Sequence, residues 1–392
     1  MFSNLKDNKQ HTFWDTQPVI NTLNKKCNNN NLVNGPIKNI QNMIQQETKL
    51  PSQFYWTFID IYNDEELNNI YTYLINHYHE YNDTITFKYS KEILTWYLQK
   101  SNNKNFILAI KIKKSNKIIG LITMIPITLK IYDKIVNSGI INFLCVHKEF
   151  RKQNLVPLLI TEITRLATTN NIYQALYTSG HLLINPISNC TYYHRPINIK
   201  KLIEINFIAL NKNVTNKMMY KIYKIPESKF NKKIRKMNLM DLDIVFQLYT
   251  NYISKFKIHP IFTQEEFNNW FSNNNQIIYS YVLTNNNDIP TDFFSFFKIT
   301  SNLTGQFKYD TIDIAYPSCI IANTIKPNEL MNEMLFVIEK NNFDVLSCLN
   351  IMDNQLFIKE CKFLPGTGFL NYHLYNWQCP IIESNMIGFM LI

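Results

Sequence analysis

Hydrophobic residues recur along the chain with two different periods, and the changes from one to the other predict a mixed α/β protein. The first part of the chain predicts strands at 54–61, 106–112, 118–129 and 140–146, and helices at 65–77, 91–99 and 155–167. Several of these strands follow one another directly, which indicates a mainly antiparallel sheet. We therefore expect an α/β fold in which antiparallel strands dominate.

A polar and basic stretch at 212–235 interrupts this pattern and marks a boundary between two halves. Beyond it the pattern predicts helices at 241–256, 263–271 and 328–341, and strands at 277–283, 291–298, 343–350 and 370–377. The two halves resemble each other in the order of their elements, although no residue-level repeat is visible. The chain thus divides into an N-terminal arm at 1–50, an N-terminal half at 51–215 and a C-terminal half at 216–392.

The last residues, 386–392, form an apolar stretch that predicts one more strand. Chain termini usually carry polar residues, so we expect this end to be buried together with its carboxylate. A buried charge is costly unless it is paired or used. Two interpretations follow: an edge strand that ends at the surface, or a terminal carboxylate that serves as a general base.

A short basic turn, Arg151-Lys152-Gln153-Asn154, joins the strand at 140–146 to the helix at 155–167. The start of a helix presents free backbone N–H groups and the positive end of the helix dipole, which together suit a phosphate. A solvated turn with ordinary surface charges explains the same residues equally well.

Composition and charge narrow the functional classes. With 46% hydrophobic and 18% charged residues, the 392-residue chain can bury one large core or two ordinary ones, so disorder is not expected. The net charge of +10 favours an anionic partner, such as nucleotide phosphates, a membrane surface or nucleic acid. Because the basic residues are dispersed and no nucleic-acid-binding motif is visible, we expect no nucleic-acid partner.

Targeting signals and cysteines indicate the compartment. No apolar run is long enough for a transmembrane segment, and the N-terminus lacks the apolar core of a signal peptide, so a cytoplasmic protein is expected. The seven cysteines are scattered without a C-x-x-C pair, which fits reduced thiols.

Two residue clusters could carry chemistry, and for each the structural interpretation is preferred. Cys145 and His147 share a strand face and could form a thiolate–imidazole pair, but no third orienting group is apparent, so a buried core thiol is expected. The segment from His77 to Asp83, which also contains His79, could suggest a metal site. It lacks a further ligand at zinc spacing. A solvated polar loop, or one that meets a charged peptide, is expected there, with no metal.

Several motifs, in one order along nearly the whole chain, resemble the eukaryotic N-myristoyltransferases (glycylpeptide N-tetradecanoyltransferases). They are Phe13-Trp14-Asp15-Thr16-Gln17-Pro18-Val19, Ile141-Asn142-Phe143-Leu144-Cys145-Val146-His147-Lys148, Ile160-Thr161-Glu162-Ile163-Thr164-Arg165, Ala175-Leu176-Tyr177-Thr178 with Gly180, Tyr193-His194-Arg195, Thr291-Asp292-Phe293-Phe294-Ser295-Phe296, and Leu374-Tyr375-Asn376-Trp377 with Cys379-Pro380. The resemblance implies two pseudo-symmetric GNAT acetyltransferase-like halves in one saddle-shaped unit. It also implies an enzyme that transfers myristate from myristoyl-CoA to proteins with an N-terminal glycine and that acts as a monomer.

The resemblance further implies that the N-terminal half binds myristoyl-CoA, with the arm lying along coenzyme A and the basic turn holding its phosphates. The implied cofactor-binding residues are His11, Thr12, Phe13, Trp14, Phe143, Leu144, Cys145, Val146, Arg151, Lys152, Gln153, Asn154, Leu155, Val156 and Pro157. The acyl chain is expected to enter a bent apolar pocket.

For catalysis, the resemblance implies that the backbone N–H groups of Phe143 and Leu144 stabilise the oxyanion, a role typically worth about 3 kcal/mol per donor. Adjacent N–H groups of a regular strand point opposite ways, so a local irregularity is required there. The terminal carboxylate of Ile392 is expected to deprotonate the glycine amine, with Asn142 and Thr178 steering it. Attack on the thioester is then direct, without a covalent enzyme intermediate.

Departures from the family pattern concern the cofactor margin and the peptide side. His11-Thr12 replaces the usual Tyr-Lys, and the acidic run is diluted to His79-Glu80-Tyr81-Asn82-Asp83. Thr367 replaces an Asp, and Pro317 follows Tyr316 in a Tyr-Ser region. The implied peptide-binding residues are Glu80, Asp83, Phe87, Tyr89, Tyr192, His194, Gly366, Thr367 and Gly368. These departures leave open an alternative, a non-catalytic protein that binds acyl-CoA or a lipidated peptide.

The abundance of Asn, Ile, Lys and Tyr together with scarce Gly is typical of an AT-rich genome. A large DNA virus or a parasite would fit this composition, and for a virus the host cytoplasm is the expected compartment.

Overall fold

The computed structural model describes residues 13–20, 33–39, 46–78, 85–100, 106–181, 183, 185–208, 215–230, 233–273, 277–305 and 307–391, with only the backbone described at 85–87. The strands are β1 (Phe54–Phe58), β2 (Ile85–Lys88), β3 (Ile107–Ile112), β4 (Ile118–Ile131), β5 (Lys134–Val146), β6 (Gln174–Ser179), β7 (Ser188–Pro196), β8 (Ile234–Lys236), β9 (Ile258–Pro260), β10 (Ile278–Thr284), β11 (Pro290–Leu303), β12 (Thr311–Ile321), β13 (Val345–Leu349) and β14 (Leu364–Tyr375). The helices are α1 (Asp64–His77), α2 (Lys91–Leu98), α3 (Leu155–Thr169), α4 (Ile199–Glu204), α5 (Asn216–Ile222), α6 (Leu242–Ile253), α7 (Gln264–Phe271), α8 (Pro327–Lys340) and α9 (Gln355–Ile358).

All of these strands belong to one sheet, in the order β1-β3-β4-β5-β6-β14-β7-β13-β12-β11-β10-β8, with β2 on β11 and β9 on β4. The pairs β5–β6 and β12–β13 are parallel and the other pairs are antiparallel. The expected α/β fold with a mainly antiparallel sheet is therefore confirmed. Strand β14, from the end of the chain, lies between β6 and β7, so the two sequence halves share one sheet.

The two halves repeat one arrangement. In each, two long antiparallel strands are followed by a helix and then by a strand parallel to the second one: β4-β5-α3-β6 and β11-β12-α8-β13. The similar order of elements that the sequence indicated is thus present in the structure.

Helices cover both faces of the sheet. On one face, Leu159 and Ile163 of α3 pack against Leu108, Ile110 and Ile122 of β3 and β4. On the other, the apolar sides of α1, α2, α6 and α7 join one large buried cluster. Within the described residues, every helix is too short or too polar to cross a bilayer.

Within the described residues, the end of the chain does not form the predicted strand, but it is buried as predicted. A 3-10 turn at Ser384–Met386 is followed by an extended segment that makes only one bridge, Ile387 to Ile258, within the described residues. Residues 387 and 389–391 are nonetheless buried. Gly388 passes close to β9: its N–H donates to the carbonyl of Ile258 (2.8 Å), and an added Cβ would lie 2.9 Å from His259 Cβ.

Strand β12 was not predicted from the sequence because Pro317 lies within it and a proline cannot donate to a ladder. The structure accommodates Pro317 at an irregularity: Phe296 pairs with Pro317, but Ser295 pairs with Cys319, which leaves Ser318 unpaired in the register. Strands β2, β6, β7, β8 and β9 were also missed; β2, β8 and β9 have only three or four residues, too few to carry a periodicity.

Asp292 on β11 ties the sheet to the loop that precedes α8. Its side chain is fully buried and accepts hydrogen bonds from the backbone N–H groups of Asn323 (2.7 Å) and Thr324 (2.8 Å) and from the hydroxyl of Thr291 (2.8 Å). A buried carboxylate that is satisfied by several donors organises the backbone around it.

Replacing Asp292 by Asn is expected to destabilise the fold by about 1–3 kcal/mol, because the amide NH₂ that replaces Oδ2 cannot accept from the hydroxyls of Thr291 and Thr324. Urea unfolding followed by circular dichroism measures the change. The control is Asp310→Asn at an exposed position, which should stay within about 0.5 kcal/mol of the parent. Equal stability of the two variants would contradict this role of Asp292.

Candidate active site

A cavity of about 240 Å³ opens where β5 and β6 separate. The two strands pair in parallel only from Ser138 to Ile140, opposite Gln174 to Leu176. Beyond that point β5 stays on β4, whereas β6 continues along β14. The gap between the diverging strands forms the cavity.

The strand β5 is irregular at the rim of this cavity. Asn142 pairs with Thr123 and Cys145 pairs with Leu121, so Phe143 and Leu144 together face the single residue Ile122. Phe143 has φ 50°, a left-handed conformation that is unusual for an aromatic residue. The irregularity that the sequence analysis required in this strand is therefore present.

Three tyrosines hold Phe143 in this conformation. Its ring is fully buried and lies 5.8 Å from the ring of Tyr78, 5.1 Å from that of Tyr89 and 5.8 Å from that of Tyr97. The tyrosines come from the end of α1, the segment after β2, and α2. Apart from Tyr89, sequence reasoning did not connect these residues with the site, since only tertiary packing brings them to β5.

The side chain of Asn142 lies beside this irregularity, a β-bulge formed by Phe143 and Leu144. Its Oδ1 accepts a hydrogen bond from the N–H of Phe143 (2.8 Å) and one from the hydroxyl of Tyr78 (3.4 Å). Its backbone carbonyl accepts from the Thr123 hydroxyl (3.0 Å). An amide that can both accept and donate thus stands next to one of the two backbone donors predicted for an oxyanion.

The interior of the cavity is mostly apolar. Its lining includes Ile122, Met124, Ile141, Ile160, Ile163, Ala167, Ile172, Ala175 and Leu183. The N-terminal arm closes one side: Trp14 stacks on Tyr177 with the ring centroids 6.0 Å apart, and the Tyr375 hydroxyl donates to Gln17 Oε1 (2.9 Å). Of the predicted arm residues, Trp14 lines the cavity, and Phe13 packs edge-on against Trp14.

Thr178 lines the same cavity and connects it to the end of the chain. Thr178 pairs with Tyr372 across β6 and β14, and the Tyr372 hydroxyl donates to the carbonyl of Phe389 (2.8 Å). Leu391 is 4% exposed. The terminal residue, Ile392, lies outside the described residues, as do His11, Thr12, Glu80 and Asp83.

The basic turn precedes α3 as predicted. Residues 151–154 are exposed, and Asn154, with φ 54°, makes no side-chain hydrogen bond to the start of the helix. The first N–H groups of α3 are therefore not capped by that side chain, which suits an anion. Arg151 donates to the carbonyl of His77 (2.8 Å), which holds the turn against the end of α1.

The other predicted cofactor residues differ in exposure. Cys145, Val146 and Leu155 are buried in the core, so only their backbone is available to a cofactor. Val156 is exposed and Pro157 is half-buried at the surface of α3.

Burial makes the pair Cys145 and His147 unsuitable for nucleophilic chemistry. It raises the pKa of the Cys145 thiol to about 12, whereas a reactive cysteine needs a lowered value. Burial also lowers the pKa of His147, whose ring lies 3.9 Å from that of His77 between centroids, with 38° between the ring planes. The interpretation of Cys145 as a core thiol agrees with this geometry. Among the described residues, no three potential metal-ligating side chains are grouped.

Several predicted peptide residues meet where β7 and β14 pair irregularly. The rings of Tyr192 and His194 stack with centroids 6.4 Å apart, and a Cβ at Gly366 would lie 2.6 Å from His194 Nε2. Glycine is therefore required at 366 by the close approach to that ring, while Thr367 and Gly368 are exposed beside it. The backbone of Phe87 pairs with β11, away from this ring pair in the sheet order.

Sequence reasoning did not identify Ser347, which belongs to this cluster. His194 Nδ1 lies 2.8 Å from the hydroxyl of Ser347 on β13, and burial lowers the pKa of His194 to about 4, so its ring is neutral. The sequence contains no signal for this pair, because residues 194 and 347 become neighbours only through the β7–β13 pairing.

Comparison with known proteins agrees with this geometry. Family models for the N-terminal and C-terminal domains of myristoyl-CoA:protein N-myristoyltransferase match residues 35–190 and 204–388. The glycylpeptide N-tetradecanoyltransferase of Plasmodium falciparum is 36% identical over 97% of this chain and 93% of the relative. That of Dictyostelium discoideum is 36% identical over 99% and 94%.

Among solved structures, the Saccharomyces cerevisiae N-myristoyltransferase with bound myristoyl-CoA is similar, with a TM-score of 0.91 and 32% identity. The similarity covers 98% of this chain and 100% of that chain. Both halves of the sequence and the whole fold therefore lead to one conclusion: the chain belongs to the myristoyl-CoA:protein N-myristoyltransferase family.

Proposed function

We propose that this acyltransferase moves myristate from myristoyl-CoA to the N-terminal glycine amine of proteins by direct attack on the thioester at the mouth of the cavity between β5 and β6. The observation that carries the mechanism is the meeting of Asn142, Phe143, Leu144 and Thr178 at one apolar cavity. No side chain of the enzyme is needed as a nucleophile, because the glycine amine of the substrate attacks the thioester itself.

The acyl chain occupies the apolar interior, where burial contributes about 0.8 kcal/mol per CH₂ group. Trp14 and Tyr177 close over it. The phosphates of coenzyme A bind at the exposed turn 151–154 and the uncapped start of α3. The N-terminal half is thereby the acyl-CoA-binding part, and the surface at Tyr192, His194 and Gly366 receives the peptide.

The thioester oxygen binds the N–H groups of Phe143 and Leu144 at the bulge. Asn142 Oδ1 accepts from Phe143 N–H. We infer that the thioester oxygen takes this place and that the freed Asn142 amide turns toward the incoming amine. Acyl-CoA binding would thus prepare the polar groups that orient the second substrate.

The glycine amine, with a pKa near ~8, must lose a proton before it attacks. The carboxylate of Ile392 is the base in this mechanism. Buried Leu391 and the bond from Tyr372 to Phe389 support a path of the chain end toward Thr178. A carboxylate in a site shielded from water is a stronger base than one in water.

The direct test is transfer of myristate from myristoyl-CoA to a panel of peptides that begin with Gly, with matched Ala-first peptides as controls. Gly-dependent acylation is expected, measured by mass spectrometry of the peptides. Tight myristoyl-CoA binding by calorimetry without transfer to any peptide would instead support the non-catalytic acyl-CoA-binding alternative.

Extending the chain by a short tag after Ile392 is expected to lower kcat by about a hundredfold or more, because a general base contributes that much to catalysis. Affinity for myristoyl-CoA should not change. The same tag at the N-terminus is the matched control, and both proteins are compared by steady-state kinetics. Full activity of the C-terminally tagged protein would remove the carboxylate from the mechanism.

Replacing Thr178 by Val keeps the shape of the side chain but removes its hydroxyl. The loss of one hydrogen bond to the amine should lower kcat about tenfold, with little effect on KM for myristoyl-CoA. Thr178→Ser should restore most of the rate. A Thr178→Val variant with unchanged kcat would show that the hydroxyl does not steer the amine.

A further inference from the structure

A second cavity, of about 310 Å³, lies on the opposite face of β4 from the acyl cavity. Ile125 and Ile127 line it, whereas Ile122 and Met124 line the acyl cavity. Its other walls include residues of the α7 region, with Phe262 and Trp270, and the end of α2. The two cavities share no lining residue, and the proposed transfer reaction makes no use of the second one.

Lys100 points an ammonium group into this aromatic surrounding. Its Nζ lies 3.6 Å from the ring centroid of Trp96 and 4.6 Å from that of Trp270, and it donates to the carbonyl of Trp96. Among the described residues, no carboxylate forms an ion pair with it, and burial holds its pKa well below the usual range. Cation–π contacts offset part of the desolvation of an ammonium, but not the lack of an anion.

The carboxylate of Glu266 also lines the cavity, but it is committed elsewhere. It accepts from the backbone N–H of Thr263 (2.7 Å) in the capping box of α7. The lining therefore contains a lysine amine that no carboxylate pairs with among the described residues, and a carboxylate that is fixed to its own helix. A ligand carrying one negative charge would bind with that charge at Lys100 and favour the protonated amine.

The walls of the cavity offer flat surfaces to a ring. Phe262 and Trp270 stack with their centroids 5.9 Å apart and 22° between their planes, and Pro126 and Ile127 add apolar surface. A volume near 300 Å³ is at the lower end of small-molecule sites, and the lining combines these apolar side chains with the polar groups of Gln99, Lys100, Glu266 and Asn269. A bicyclic ring with a short acidic arm is the size that fits.

We propose that this cavity is a binding site for a small aromatic carboxylate, whose carboxylate pairs with Lys100 and whose ring packs against Trp270 and Phe262. The site is distinct from the acyl cavity. It also borders the catalytic region, because the ring of Trp270 lies 5.5 Å from that of Phe389 and 5.9 Å from that of Tyr97.

The test uses indole-3-acetate as the probe and the neutral indole-3-acetamide as its matched control, with binding to the full chain measured by calorimetry. The parent protein is expected to bind the acid at least about tenfold more tightly than the amide, a difference of about 1.4 kcal/mol. Lys100→Met should abolish this preference, whereas Lys100→Arg and the exposed-site control Lys113→Met should keep it. Near-UV circular dichroism verifies the fold of each variant, and the arginine variant remains informative where the methionine variant does not fold.

Equal affinity for acid and amide, no binding of either at millimolar concentration, or a preference that survives Lys100→Met would overturn the proposal. A final titration is made with a non-hydrolysable thioether analogue of myristoyl-CoA at saturation. Unchanged binding of indole-3-acetate is expected because the cavities are separate. Displacement of the probe by the analogue would mean that it occupies the acyl cavity and would also overturn the proposal.

Discussion

The left-handed conformation of Phe143 is the constraint on which the site depends. A regular strand would direct the N–H groups of Phe143 and Leu144 to opposite sides, so two adjacent donors for one oxygen require the bulge. A non-glycine residue in this region costs about 1–3 kcal/mol and persists only where its surroundings determine it. Here the buried ring among Tyr78, Tyr89 and Tyr97 offsets that cost.

The bulge borders a cavity only because β6 separates from β5 near the same residues. The separation after Ile140 creates a cavity beside the two N–H groups, and β14 fills the space on the far side of β6. This insertion brings a strand from the end of the chain next to Thr178. The proposed catalytic groups of the N-terminal half therefore lie against β14, and Tyr375 of that strand lines the same cavity.

Charge is divided between exposed and buried groups in the same region. The buried rings of His194 and His373 are neutral at physiological pH, since burial lowers the pKa of each to about 4. The positive charge of the turn after β5 comes instead from Arg151 and Lys152, which are exposed.

The sequence by itself determined the α/β class, the position of α3 and its basic turn, the buried character of the chain end and, through its motifs, the family. These features follow from local periodicity and from short runs of residues. Only the tertiary structure decided that Phe143 adopts a positive φ, that β14 lies between β6 and β7, and that Ser347 meets His194. Periodicity tells which face of an element is buried but not which partner buries it, and the strand pairs β6–β14 and β7–β13 join residues more than a hundred positions apart.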